Sequence, residues 1–118
     1  MIPYIIIVWA HFIGDFLCQS NAMALNKSKS NSWLVIHCLV YMYILLLIGS
    51  IGLGTPGTWN VTYWGLVNGL VHFAIDYCTS RGTSYLWKKE AWHWFFTLIG
   101  FDQAIHMTVL FVTYKLMF

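Results

Sequence analysis

Charge is scarce in this chain. Only 8% of its 118 residues are Asp, Glu, Lys or Arg, against about 25% in soluble domains. A water-soluble fold could not cover its surface with so few. The net charge of +2 and the absence of a Lys/Arg stripe exclude nucleic acid as a partner. Three cysteines, Cys18, Cys38 and Cys78, are too few and too scattered for a disulfide scaffold. No basic run precedes the first apolar segment, which contains His11 and Asp15. A retained helix is therefore expected there, not a cleaved signal peptide. No internal repeat and no low-complexity segment stands out.

Apolar residues, in contrast, make up 59% of the chain. The bilayer is the solvent that suits this composition. A spanning helix needs about 20 mostly apolar residues, because the hydrocarbon core is about 30 Å thick. Four stretches qualify: about Ile2 to Gln19, Trp33 to Leu53, Val61 to Thr79 and Leu98 to Leu116. The first and third are short or interrupted. The expected fold is all-α: one transmembrane domain over residues 1–118, an antiparallel bundle of four transmembrane helices.

Three connections separate these stretches. Ser20 to Ser32 is polar and holds Lys27 and Lys29; Gly54 to Asn60 is uncharged, with Gly and Pro as breakers. Ser80 to Thr97 carries Arg81, Lys88, Lys89 and Glu90, then the run Trp92-His93-Trp94-Phe95-Phe96, which suits a short interfacial helix. Positive charge stays on the cytoplasmic side. Connections one and three are thus expected in the cytoplasm and both termini outside, with Lys115 snorkelling at the outer end. A bacterial inner membrane is the expected location.

Seven ionisable residues fall inside the spans: His11, Asp15, His37, His72, Asp76, Asp102 and His106. Such residues are costly in a membrane and tend to be functional. Six form pairs of equal spacing: His11-x-x-x-Asp15, His72-x-x-x-Asp76 and Asp102-x-x-x-His106. Residues four apart share a helix face. The order inverts in the helix that runs the other way. All three Asp residues therefore reach one depth, about one turn inside the cytoplasmic boundary, with the paired His residues about one turn deeper. His37 is level with the Asp layer, and Tyr41 joins the His layer.

Imidazole and carboxylate together suit a divalent metal, zinc first, with iron, manganese or nickel as alternatives. Three facing carboxylates repel one another unless a cation or protons compensate them. The expected metal-site residues are His11, Asp15, His37, His72, Asp76, Asp102 and His106. His11, His72 and His106 are expected as ligands. Asp15, Asp76 and Asp102 serve as ligands or as groups that orient them, and one of these Asp residues is the catalytic base. His37 is a fourth ligand or a proton shuttle. A structural His–Asp network, a proton or ion pathway and haem held by two His residues are the alternatives. The apolar outer halves, Ile5-Ile6-Ile7 and Tyr43 to Ile48, favour a one-sided pocket over a channel.

Other polar residues carry two readings each. Gln19 and Asn68 continue the His11 and His72 faces, as substrate contacts or as caps and packing groups. Gln103 points about 100° away from Asp102, toward another helix. Arg81 could hold a lipid phosphate or simply mark the interface. Cys18 could ligate a metal, but a small packing residue is the plainer reading. His93 belongs with the interfacial aromatics. Gly65 and Gly69 form a Gly-x-x-x-Gly that could pack the third helix closely. Asn60-Val61-Thr62 is a glycosylation sequon, relevant only in a eukaryotic secretory setting.

Four pieces resemble a family of small bacterial and phage membrane proteins, domain of unknown function 3307. They are His11-Phe12-Ile13-Gly14-Asp15-Phe16-Leu17-Cys18-Gln19, His37 with Tyr41, His72-Phe73-Ala74-Ile75-Asp76 with Arg81, and Asp102-Gln103-Ala104-Ile105-His106. The family pattern has Leu where Cys18 stands. The His/Asp pattern is more loosely similar to membrane-bound metal-dependent hydrolases, which implies a lipid-type ester or amide substrate. The expected function is a metal-dependent hydrolase of a lipid or lipid-linked substrate, with membrane lipids as partners and a homo-oligomer as a plausible assembly. The alternative is a non-enzymatic membrane protein: an ion or proton conductor, or a phage membrane-interaction factor.

Overall fold

In the computed structural model, residues 1–54 and 59–118 are described, and their regular structure is entirely helical. The breakers Pro56 and Gly57 of the second connection lie outside the described residues. Helix α1 (Ile2–Phe12) opens with Pro3 in its first turn and runs on as a π-helical turn, Ile13–Leu17. A short α2 (Asn21–Asn26) follows, its first turn capped by the Ser20 hydroxyl accepting from the Met23 amide at 3.2 Å. Helices α3 (Asn31–Gly52), α4 (Trp59–Lys88) and α5 (Trp92–Met117) complete the chain.

Side-chain register gives the topology. Tyr41 meets His11 while His37 meets Asp15, so α1 and α3 are antiparallel. Trp64 bonds to Leu110 and Thr79 to Asp102, so α4 and α5 are antiparallel too. Helix α1 also packs on α5, which closes the four long helices into an up-down bundle. Its apolar core is Ile7, Ala10, Tyr41, Leu45, Trp64 and Leu110. That core fills one end of the bundle and leaves the other end to polar side chains.

Two expectations need correction. The third helix runs to Lys88, nine residues past the expected end, and the fourth starts at Trp92. The aromatic run is therefore the first turns of α5, and the third connection shrinks to Lys89, Glu90 and Ala91. The turn closes by Ala91 N–H donating to the Leu86 carbonyl at 3.1 Å, with Glu90 at φ 54° where glycine is usual. Of the four expected spans, two helices, Asn31–Gly52 and Trp92–Met117, are long and apolar enough to cross a membrane. Helix α1 with its π turn is apolar but shorter, and α4 is long but carries a polar stripe.

The Gly65/Gly69 expectation is met. A Cβ on Gly65 would sit 2.5 Å from Leu46 Cδ2, and one on Gly69 would sit 3.0 Å from Met42 Cβ. These glycines let α4 approach α3 closely. Gly65→Leu should destabilise the protein by about 1–3 kcal/mol through overpacking, measured by unfolding in mixed micelles. An unchanged midpoint would mean that α3 and α4 do not pack through this seam.

Candidate metal centre

The sequence builds the polar end from one stripe on α4. Asn68, His72, Asp76 and Ser80 recur every four residues and all are buried. From α3 come His37 and Tyr41, also buried. From α1 come His11 and, on the π turn, Asp15. The π turn is closed by Cys18 N–H donating to the Ile13 carbonyl at 2.8 Å. Such widened turns recur at functional sites. Here it carries the carboxylate that reaches furthest across the bundle.

Four donor atoms converge. His37 Nε2 lies 3.1 Å from Asp15 Oδ1, 3.3 Å from Asp76 Oδ2 and 3.0 Å from His72 Nε2. His72 Nε2 lies 3.5 Å from each of the same carboxylate oxygens. One ring N–H cannot satisfy three acceptors at once. Metal bonds of about 2.0–2.1 Å place tetrahedral ligand atoms about 3.3–3.4 Å apart, and the five distances above run from 3.0 to 3.5 Å. Asp15, His37, His72 and Asp76 could therefore hold one divalent ion. The Tyr41 ring stacks on His72 at 3.8 Å between centroids and fixes its plane.

A second group, Asp15, Asp102 and His106, also has metal-ligand spacing. The Gln103 amide already fills it. Gln103 Nε2 donates to Asp15 Oδ2 at 3.1 Å and to Asp102 Oδ2 at 2.9 Å. The remaining amide oxygen must then face His11, whose Nε2 donates to it at 2.7 Å. His11 Nδ1 is left as acceptor for the Tyr41 hydroxyl at 3.0 Å. Both nitrogens of His11 are thus engaged, and neither keeps a lone pair for a metal. Gln103 thus occupies the second group, and His11 lies beside the donor quartet with both nitrogens engaged.

His106 takes a third position. Its Nδ1 donates to the Asp102 carbonyl at 2.8 Å, which fixes the tautomer. Nε2 then carries a lone pair, and it faces Asp76 Oδ1 at 3.5 Å with no hydrogen-bond partner among the described residues. Two acceptors facing each other need a cation or a proton nearby. Asp102 Oδ1 accepts from Thr79 Oγ1 at 2.5 Å. The bundle therefore brings all seven expected residues to one end, in unequal roles.

Lys27 was read from the sequence only as a marker of orientation. Its Nζ lies 3.0 Å from Asp76 Oδ2. Burial disfavours its charge, but the Asp76 and Asp15 carboxylates outweigh that and hold its pKa above the ordinary lysine value. The extension of α4 puts it there. Ser84 donates to Ser28 at 2.7 Å, and Arg81 donates to Asn31 at 2.6 Å, docking the α2 connection over the site. Arg81 also lies over the Tyr77 ring. Asn68 takes its plainer reading, donating to the Trp64 carbonyl and to Thr113, both at 2.8 Å. Cys18 is exposed, and His93 stacks edge-on with Trp94 away from the site.

A cavity of about 190 Å³ abuts the donor atoms. Asp15, Asp76 and Asp102 form its floor, with Lys27, Gln19, Thr79 and Ser80 around them. The imidazoles lie behind the carboxylates, away from it. Gln103, Lys27, Thr79 and Ser80 are the residues that the sequence reading passed over as site groups. Thr79 and Ser80 stand three and four places after Asp76 and were visible as its helix face. Lys27 and Gln103 required knowledge of which elements pack together.

No curated protein and no solved structure matches the chain. One family pattern covers residues 4–118, and on that match the chain belongs to the family described as protein of unknown function, DUF3307.

Proposed function

We propose that this protein is a four-span membrane hydrolase with one divalent metal, zinc first, acting on a lipid or lipid-linked substrate. The observation that carries the metal is the tetrahedral spacing of Asp15, His37, His72 and Asp76. The charge balance supports it. Asp15, Asp76 and Asp102 bring three negative charges and Lys27 one positive charge, leaving a deficit that a divalent ion matches.

The membrane reading rests on an inverted surface. His37 and His72 are 0% exposed, whereas Leu70 is 73% and Ile51 80% exposed. Polar inside and apolar outside is the arrangement that lipid selects, because intramembrane ionisable groups face the bundle interior. Helix α4 follows the same rule: its buried stripe is polar and its outer face holds Tyr63, Leu66, Leu70 and Tyr77. At about 1.5 Å per residue its 30 residues exceed a hydrocarbon core of about 30 Å. The polar turns from Ser80 to Lys88 then stand at the headgroups. Connection one, the last turns of α4 and the α4–α5 turn hold five of the six Lys and Arg residues, so they face the cytoplasm of a bacterial inner membrane, with both termini outside.

Hydrolysis adds water across the ester bond. The water oxygen bonds to the acyl carbon or phosphorus, and the alcohol oxygen leaves with a proton. Asp15, His37, His72 and Asp76 would hold the metal, and an ion that admits a further oxygen donor beside these four would supply Lewis acidity to a substrate oxygen or a water. Asp102 borders the cavity, and Thr79 and Gln103 orient it to accept the proton and return it to the leaving alcohol. His11 and Tyr41 hold Gln103 and His72 in place.

The test strips purified protein with a chelator, reloads it with zinc, iron(II) or manganese, and follows product release from vesicles of bacterial lipid extract. Product that appears only after reloading supports the hydrolase. Bound metal without product from any lipid overturns it in favour of a structural centre. Protein that takes up no metal overturns the metal centre as well and favours a His–Asp network completed by Lys27.

A further inference from the structure

The cavity beside the donor atoms has features that the metal alone does not use. Ser80 is 7% exposed and borders the cavity, yet its hydroxyl has no hydrogen-bond partner among the described residues. Gln19 Oε1 is likewise buried without a partner among the described residues, and Gln19 lines the same cavity. Lys27 uses one of its three N–H donors on Asp76. An ammonium and a free hydroxyl on one wall are the donors a tetrahedral oxyanion needs.

The cavity's boundaries say how a ligand would enter. Among the described residues the backbone of the π turn packs on α3, and the turn meets α5 through Asp15 accepting from Gln103 at 3.1 Å. The cavity lies between them, with Phe16 on one side and Ile99 on the other. Phe16 is 46% exposed on the outer surface of the bundle. Such an apolar rim suits acyl chains, and the polar floor suits the group attached to them. About 190 Å³ falls below the roughly 300 Å³ at which whole small-molecule pockets begin. There is space for a headgroup and not for its chains.

We infer that this cavity is a phosphate subsite formed by Lys27 and Ser80, which takes the phosphate-bearing headgroup of a lipid laterally between α1 and α5. Gln19 Oε1 accepts from a hydroxyl or amine of the same headgroup. The inference rests on the metal reading, because a divalent ion would offset the charge of the three carboxylates beside which the anion enters.

The test measures binding, without turnover, to purified protein in dodecyl maltoside. The probes are dihexanoyl phosphatidic acid, dihexanoylglycerol with the same chains and no phosphate, and inorganic phosphate. Wild type should bind the phosphatidic acid at least about tenfold more tightly than either of the others. Ser80→Ala should weaken that binding about fivefold and Lys27→Gln about thirtyfold, with Lys27→Arg close to wild type. Ser80→Ala is the variant least disturbing to the fold. Equal affinity for the phosphorylated and unphosphorylated lipids, or no response to Ser80→Ala and Lys27→Gln, overturns the subsite. Inorganic phosphate bound as tightly as the phosphatidic acid overturns the lipid source. Metal content is measured on the same samples. Metal-free wild type that still discriminates for phosphate sinks the metal reading and leaves the subsite standing. Metal-loaded protein without discrimination does the reverse.

Discussion

The His37→Ala, His72→Ala double variant should fall from about one divalent ion per chain to under about a tenth, while His11→Ala stays close to one. Plasma mass spectrometry on detergent-purified protein, prepared without chelators, reads both. The difference follows from which ring nitrogens are in use. His37 Nε2 and His72 Nε2 point at each other across 3.0 Å and share two carboxylate oxygens. His11 instead spends both nitrogens on Gln103 and Tyr41. Its loss should loosen Gln103, and through it Asp15, and weaken metal affinity about tenfold, as the loss of a ligand-orienting group does. Competition with a chromogenic chelator measures that change. Metal lost from His11→Ala as fully as from the double variant would restore the depth-layer assignment, with His11, His72 and His106 as ligands.

That contrast marks how far the sequence could be read. Four-residue spacing of His and Asp is a property of single helices. It correctly put Asp15, Asp76 and Asp102 at one end with His37, and Tyr41 against the His layer. Depth along the bundle was legible because helix direction follows from short connections. Rotation about each helix axis was not. His11 and His72 share a layer, yet α1 turns His11 toward α5 and Gln103, while the π turn swings Asp15 to α3 and α4. A widened turn leaves no mark in the residue types of Ile13-Gly14-Asp15-Phe16-Leu17. The end of α4 was hidden for a related reason. Its stop is made by Glu90 in a conformation where glycine would have signalled the break. The expected end near Thr79 therefore rested on falling hydropathy alone. The missing nine residues include Arg81 and Ser84, which dock the first connection and carry Lys27 to Asp76.

Lys27→Met should have opposite effects on the metal and on the empty protein. Nζ sits 3.0 Å from the Asp76 oxygen that belongs to the donor quartet. An ion bound there would lie about 5 Å from the ammonium, and at an effective dielectric constant of about 20 the repulsion between a double and a single charge is about 7 kcal/mol before the ligating carboxylates offset part of it. Removing the ammonium should tighten metal binding by about a hundredfold. Without metal, the same change leaves Asp76 buried without the ammonium that pairs with it at 3.0 Å. Breaking a buried ion pair in this way costs about 3–5 kcal/mol. Chelator-treated Lys27→Met should therefore unfold well below wild type, and added zinc should raise its melting temperature by more than it raises wild type's. The two curves separate the competing readings of the cluster. A purely structural His–Asp–Lys network predicts the destabilisation but no rescue, because no ion is there to take the place of the lysine charge. Rescue by zinc that is abolished by His37→Ala would tie the lysine, the carboxylates and the imidazoles to one ion.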